Sequence, residues 1–149
     1  MPITNCGFSD SDNYPACELL VAHGPTLIVD VGFVESDHPG HEDESRIKNV
    51  PALVDTGASD SCIDEKLAEE LGLPAVDRIS IAGVSGGFEV NLYLARVHLP
   101  QLDVSHYGRF ASVKLQEGGQ NHGVLIGRSF LRHIIMIYDG IEGRVTMSI

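Results

Sequence analysis

The chain has 149 residues and a formal net charge of -11, with 21 acidic residues against 10 basic ones. That length fits one domain around one core, and an acidic chain with no basic stripe is not built to grip a nucleic-acid backbone. Cys6, Cys17 and Cys62 are too few and too scattered for a disulfide framework or a thiolate zinc site. No apolar run approaches the roughly 20 residues that span a bilayer, and the N-terminus lacks a basic segment followed by an apolar one, so a cytoplasmic location is expected.

Residues 1–18 are polar and turn-rich and read as an N-terminal arm or a first edge strand, ahead of a domain over residues 19–149. Ser9-Asp10-Ser11-Asp12-Asn13 resembles the start of a calcium loop, but the glycine and glutamate that complete one do not follow. Thr26–Val34 is β-branched and apolar, which predicts a strand. Residues 35–49 form a charged loop around His38, His41, Glu42, Asp43 and Glu44. Imidazoles and carboxylates can hold a metal, yet a solvated loop explains them as well, and no metal or other cofactor is assigned. Val50–Val54 is a second strand. Cys62-Ile63 is a short one. Asp64 is a plausible N-cap for a helix carrying Leu67, Ala68 and Leu71, ended by Gly72 and Pro74. Ile79–Ile81 and Phe88–Leu99 flank the glycine-rich turn Gly83-Val84-Ser85-Gly86-Gly87, which predicts a hairpin. Further strands follow at Arg109–Leu115, Val124–Ile126, Ile134–Tyr138 and Arg144–Ile149, and Ser129–Arg132 can begin one helical turn. The class is all-β with one short helix. Two strand-to-glycine elements, at Asp55-Thr56-Gly57 and at Ile126-Gly127, hint at two similar halves.

Asp55 is the candidate for chemistry. Ala52-Leu53-Val54 leads into it, so its carboxylate ends a buried strand. Thr56, Gly57, Ala58 and Ser59 follow, small enough for a substrate backbone to approach. An Asp-Thr-Gly triplet alone is also an ordinary strand-end turn. Three blocks together say more: Leu53-Val54-Asp55-Thr56-Gly57-Ala58-Ser59, the glycine-rich hairpin, and Val124-Leu125-Ile126-Gly127-Arg128-Ser129-Phe130-Leu131 about 70 residues beyond the first.

In that order and spacing the chain resembles the retropepsin-like aspartic peptidases, over about Leu27 to Ile149. The resemblance implies an acid-protease fold with one lobe per chain, a closed barrel-like core and a flap hairpin. It implies a homodimer that hydrolyses peptide bonds, with the two Asp55 carboxylates flanking one water. Thr56 and Gly57 match the residues that brace the active-site turn and face bound peptide. Ala58 and Ser59, with Gly83, Val84, Ser85, Gly86 and Gly87 at the flap tip, match substrate-binding positions. Arg128 matches an arginine that braces the dimer. The acidic partner that this arginine has in retroviral members is replaced here by Ser59, with Asp60 next, so its partner is left open.

The remaining candidate residues fit other chemistries poorly. Ser59, Ser61 and Ser129 lack the GxSxG elbow of a serine nucleophile. Cys62 fits a small strand residue. The glycine run is not followed by the lysine of a phosphate loop. The alternative function is a non-catalytic peptide-binding or assembly domain of the same fold, since fold alone does not give activity.

Overall fold

A computed structural model describes residues 1–33, 46–83 and 86–149. The elements run β1 (Ile3–Asn5), α1 (Ala16–His23), β2 (Thr26–Gly32), β3 (Ile47–Val54), β4 (Cys62–Asp64), α2 (Glu65–Glu70), β5 (Ala75–Gly83), β6 (Gly86–Leu99), β7 (Val104–Val113), β8 (Val124–Ile126), α3 (Arg128–Leu131), β9 (Ile135–Asp139) and β10 (Arg144–Ser148). The protein is mostly β with short helices.

Seven strands form one sheet in the order β2-β3-β8-β4-β7-β6-β5, and β2 also pairs with β6. The 14-residue β6 divides one edge between two neighbours. Its first half pairs with β5 and its second, at Arg96–His98, with β2. The second pairing closes the sheet on itself. Side chains alternate across each strand, and the inward set forms the core: Leu27, Val29 and Val31 on β2, Ala95, Val97 and Leu99 on β6, and Val124 and Ile126 on β8. Phe110 fills the centre from β7 and is fully buried.

β5 and β6 run past the ring. Residues 86–91 of β6 pair only with β5, whereas Leu92 onward also pairs with β7. The result is a two-stranded ribbon whose root packs Ile79 and Ile81 on Val90, Leu92 and Ala111.

A second sheet has the order β1-β10-β9. Cys6 follows β1 and is buried, its thiol 3.4 Å from Met147 Sδ. Burial pushes that thiol up to about 11, which makes it a core group and not a reactive one.

α1 and β7 differ from the sequence expectation. Ile3–Asn5 is the edge strand that was one of two readings, but a helix crosses residue 18. α1 has Pro15 at its N-cap position with no side-chain cap of its own. Asp10 supplies the missing acceptor from six residues upstream, taking the Ala16 N–H at 2.8 Å. The acidic run that resembled part of a calcium loop therefore contains a helix cap. α3 is the single helical turn expected at Ser129–Arg132, beginning at Arg128. β7 begins at Val104, earlier than Arg109, because Leu99–Asp103 turns tightly, with Asp103 at φ 52°. The expected helix stands as α2, with Asp64 accepting from Leu67 N–H as its cap. The same buried carboxylate also accepts from the Leu115 and Gln116 N–H groups.

Candidate active site

β3 and β8 lie side by side and parallel, Leu53 opposite Leu125 and Val54 opposite Ile126. These are the two strand-to-glycine elements, brought into one structural unit. The Asp55 N–H donates to Ile126 O at 2.9 Å, so the pairing continues one residue past β3. The chain then turns. Gly57 N–H donates to Asp55 Oδ1 at 2.8 Å and fixes the carboxylate's rotation. Asp55 is half-buried, whereas Thr56 and Gly57 are exposed. One oxygen is thus held by backbone beside an open, small-residue surface.

The turn is clamped to the loop after β8. Arg128 N–H donates to Ala58 O and Ser129 N–H to Ser59 O, each at 2.9 Å. The Arg128 side chain reaches back, donating from Nη1 to Thr56 O at 2.7 Å and from Nη2 to Ser59 Oγ at 3.1 Å. The partner left open in the sequence is therefore a backbone carbonyl and a hydroxyl of the same chain.

Gly127 has to be glycine for this clamp to close. A Cβ there would lie 2.6 Å from the Asp60 carbonyl carbon. The Gly127 N–H instead donates to Ser61 Oγ at 3.0 Å, and that hydroxyl lies 3.2 Å from His106 Nε2. Ser61 is 1% exposed, so the Ser61–His106 pair is closed to substrate and acts as a brace behind the turn. The His106 ring packs against Phe110 and Phe130. Burial, and then the nearby His133, lower its pKa below the ordinary histidine value of 6.5. His106 carried no local sequence pattern, because its partner is 45 positions away.

Cys62 lies behind the same turn. Burial first, then the negative charges of Asp60 and Asp55, push its thiol up to about 11. The thiol is thereby kept neutral and unreactive. Cys62 packs on the cluster at the ribbon's root, which puts that root beside the turn.

Gly83, Gly86 and Gly87 lie at the ribbon's end, Gly83 paired with Gly86; Gly86 and Gly87 are exposed. Val84 and Ser85 lie outside the described residues, as do His38, His41, Glu42, Asp43 and Glu44. Among the described residues no three His, Cys, Asp or Glu side chains gather as a metal would need. No helix among them is long and apolar enough to cross a membrane.

Comparison with known proteins bears on this arrangement. A family described as gag-polyprotein putative aspartyl protease matches residues 46–133, from the start of β3 through α3. DNA damage-inducible protein 1 of Yarrowia lipolytica is 30% identical over 105 residues, 69% of this chain and 25% of that protein. The chain thus spans about a quarter of that relative's length. Among solved structures, the EIAV protease in complex with an inhibitor is 19% identical, with a TM-score of 0.48 over 73% of this chain and 86% of that one. The retroviral protease-like domain of Ddi1 from Leishmania major is 21% identical, with a TM-score of 0.41 over 80% of this chain and 89% of that one.

Proposed function

We propose, from the premise that this chain belongs to the gag-polyprotein aspartyl protease family, that it is one half of a homodimeric aspartic endopeptidase with Asp55 as each subunit's catalytic residue. The observation that carries this reading is the Asp55 turn itself: a carboxylate held by the Gly57 N–H, with exposed small residues beside it and a backbone clamp behind it. Peptide hydrolysis by water needs a base to take the water's proton and an acid to polarise the scissile carbonyl. One carboxylate cannot do both at once, and the sequence holds one Asp-Thr-Gly triplet.

A two-fold axis supplies the second. Two carboxylates facing one water hold a single proton between them, because like charges at that range cannot both ionise cheaply. The ionised Asp55 takes a proton from the water as its oxygen attacks the carbonyl carbon. The protonated partner Asp55 gives its proton to the carbonyl oxygen. The first Asp55 then passes the water's proton to the leaving amine, the C–N bond breaks, and the adduct's hydroxyl returns its proton to the partner Asp55 as the carbonyl re-forms.

The outer face of the second sheet supports self-association. Ile3 and Ile135 flank Ser148 in one row across β1-β10-β9, and Ile137 lies in a second row with Thr146 and Asn5. Ile3, Ile135 and Ile137 are each more than 60% exposed. An apolar face on a sheet whose β1 and β9 edges pair with no further strand among the described residues favours a protein partner. Under this reading the ribbon ending in Gly83 and Gly86 is the flap, and substrate binds as an added strand beneath it.

The test is incubation of the purified protein with a mixture of peptides, with and without a statine-type compound that mimics the tetrahedral adduct. Cleavage that the compound blocks supports the reading. Binding of peptides without any cleavage would point to the non-catalytic domain instead.

A further inference from the structure

One peptide unit joins Ile126 to Gly127. Its carbonyl accepts from the Asp55 N–H at 2.9 Å, and its N–H donates to Ser61 Oγ at 3.0 Å. The tilt of that single plane therefore sets where the Asp55 backbone lies, and Ser61 holds the plane from the other side. Gly127 is itself buried, so water does not replace the Ser61 hydroxyl there.

Ser61 can do this in one proton arrangement. It is 1% exposed, so its hydroxyl is satisfied by protein alone. The oxygen accepts from Gly127, and the hydroxyl proton has one acceptor among the described residues, His106 Nε2 at 3.2 Å. The ring must then present a bare lone pair at Nε2 and carry its proton on Nδ1. A second proton, on Nε2, turns that acceptor into a donor. The Ser61 hydroxyl is left with no acceptor, at the cost of an unpaired buried polar group, and its hold on Gly127 has to be remade. Around the ring, Phe110 on β7 and Phe130 on α3 pack against it, and Val97 on β6 stands opposite it in register. None of these carries charge. Burial, and then the titratable His133 just past α3, hold the ring's pKa below 6.5.

We propose, resting on the peptidase reading, that His106 is a positioning residue for Asp55: the neutral ring fixes Ser61, Ser61 fixes the Ile126–Gly127 peptide, and that peptide seats the Asp55 backbone. Protonation of His106 breaks the relay at its first link. The acid limb of cleavage is thereby set by His106, apart from the proton that the two Asp55 carboxylates share.

The test follows cleavage and the Asp55 backbone separately. Values of kcat and KM are measured from pH 8 down to pH 5 on the native protein and three variants, with circular dichroism at each pH. His106→Leu offers Ser61 no acceptor. It is expected to lower kcat about tenfold with KM nearly unchanged, the scale of one net hydrogen bond. His106→Gln keeps an acceptor that gains no proton in this range, so it is expected to recover part of kcat and to move the acid limb to lower pH. His133→Gln removes the repelling neighbour, so the limb is expected to move to higher pH. In the native protein, the amide resonances of Asp55 and Gly127 are expected to titrate together with the His106 ring. Should His106→Leu not fold, His133→Gln and the amide titration decide. An acid limb that ignores both His106→Gln and His133→Gln overturns the inference, as do amides that stay still while His106 titrates. Unfolding of the whole protein as His106 titrates also overturns it, since the ring would then hold the core and not the turn. Native protein that cleaves nothing at any pH sinks the peptidase reading, and the amides still decide whether His106 holds Asp55.

Discussion

Asp55 and Arg128 act through different kinds of contact, and substitution separates them. Asp55→Asn keeps the shape and can still accept from the Gly57 N–H through its carbonyl oxygen, but it cannot serve as a base. Cleavage is expected to fall by a hundredfold or more, the scale of a lost general base, with circular dichroism unchanged. Arg128→Ala removes the bonds to Thr56 O and Ser59 Oγ. Each is exposed to solvent and is worth about 1 kcal/mol or less, so folding should survive while the turn loosens and cleavage drops about tenfold. A variant that unfolds, or one with full activity, contradicts the clamp. The Asp-Thr-Gly block was legible because its residues are adjacent in the chain. The partner of Arg128 was not, since a backbone carbonyl leaves no mark in a sequence. His122 shows the same limit: its hydrogen-bond partner is Thr26, 96 positions away.

Two imidazoles, His106 half-buried and His122 buried, set a pH dependence at this scale. His106 and His122 are pulled below 6.5 in the folded protein. An unfolded chain binds more protons than the folded one between 6.5 and those lower values, so stability falls as pH drops through that window. Above 6.5 both rings are neutral in either state and the penalty vanishes. Denaturant midpoints measured from pH 8 down to pH 5 should decline, and His106→Gln should flatten the decline. A midpoint that stays constant down to pH 5 would mean the rings are not held neutral by the fold.

Among the elements, the strands of the ring were readable because their burial follows period two or continuous apolar runs. Asp64 announced α2 as a short polar cap before Leu67 and Ala68. α1 gave no such sign. Its cap comes from Asp10 rather than from an adjacent residue, and of its eight residues only Ala16 and Leu20 are buried. Under the proposed reading the ribbon is the element whose role depends most on motion. From Gly86 to Asn91 its second strand pairs only with β5, so it should open locally at a lower free energy than the ring. Hydrogen exchange should be fast at Phe88 and Glu89 and slow at Val97 and Leu99, with ribbon exchange slowed by a bound statine-type compound. Equal protection of ribbon and ring would argue against a closing flap.

For the whole molecule, the central claim is that one chain holds half an active site. The fold class and the candidate turn were readable from one chain, but the second carboxylate that the proposed dyad requires would belong to no single sequence. Charge opposes assembly: two chains at -11 each repel, so dimerisation should tighten as salt screens that repulsion. A sedimentation series in salt checks this, and association that weakens with salt would place ion pairs, rather than Ile3, Ile135 and Ile137, at the interface. The most direct measurement mixes native and Asp55→Asn chains under refolding conditions at fixed native concentration and follows cleavage. If each site needs two Asp55 carboxylates, mixed dimers are dead, and in an equal mixture only about a quarter of the dimers remain active. Activity per native chain should therefore fall steadily as the Asn chain is added. Activity that does not change with added Asn chain would mean that one subunit catalyses alone, and the shared dyad would be wrong.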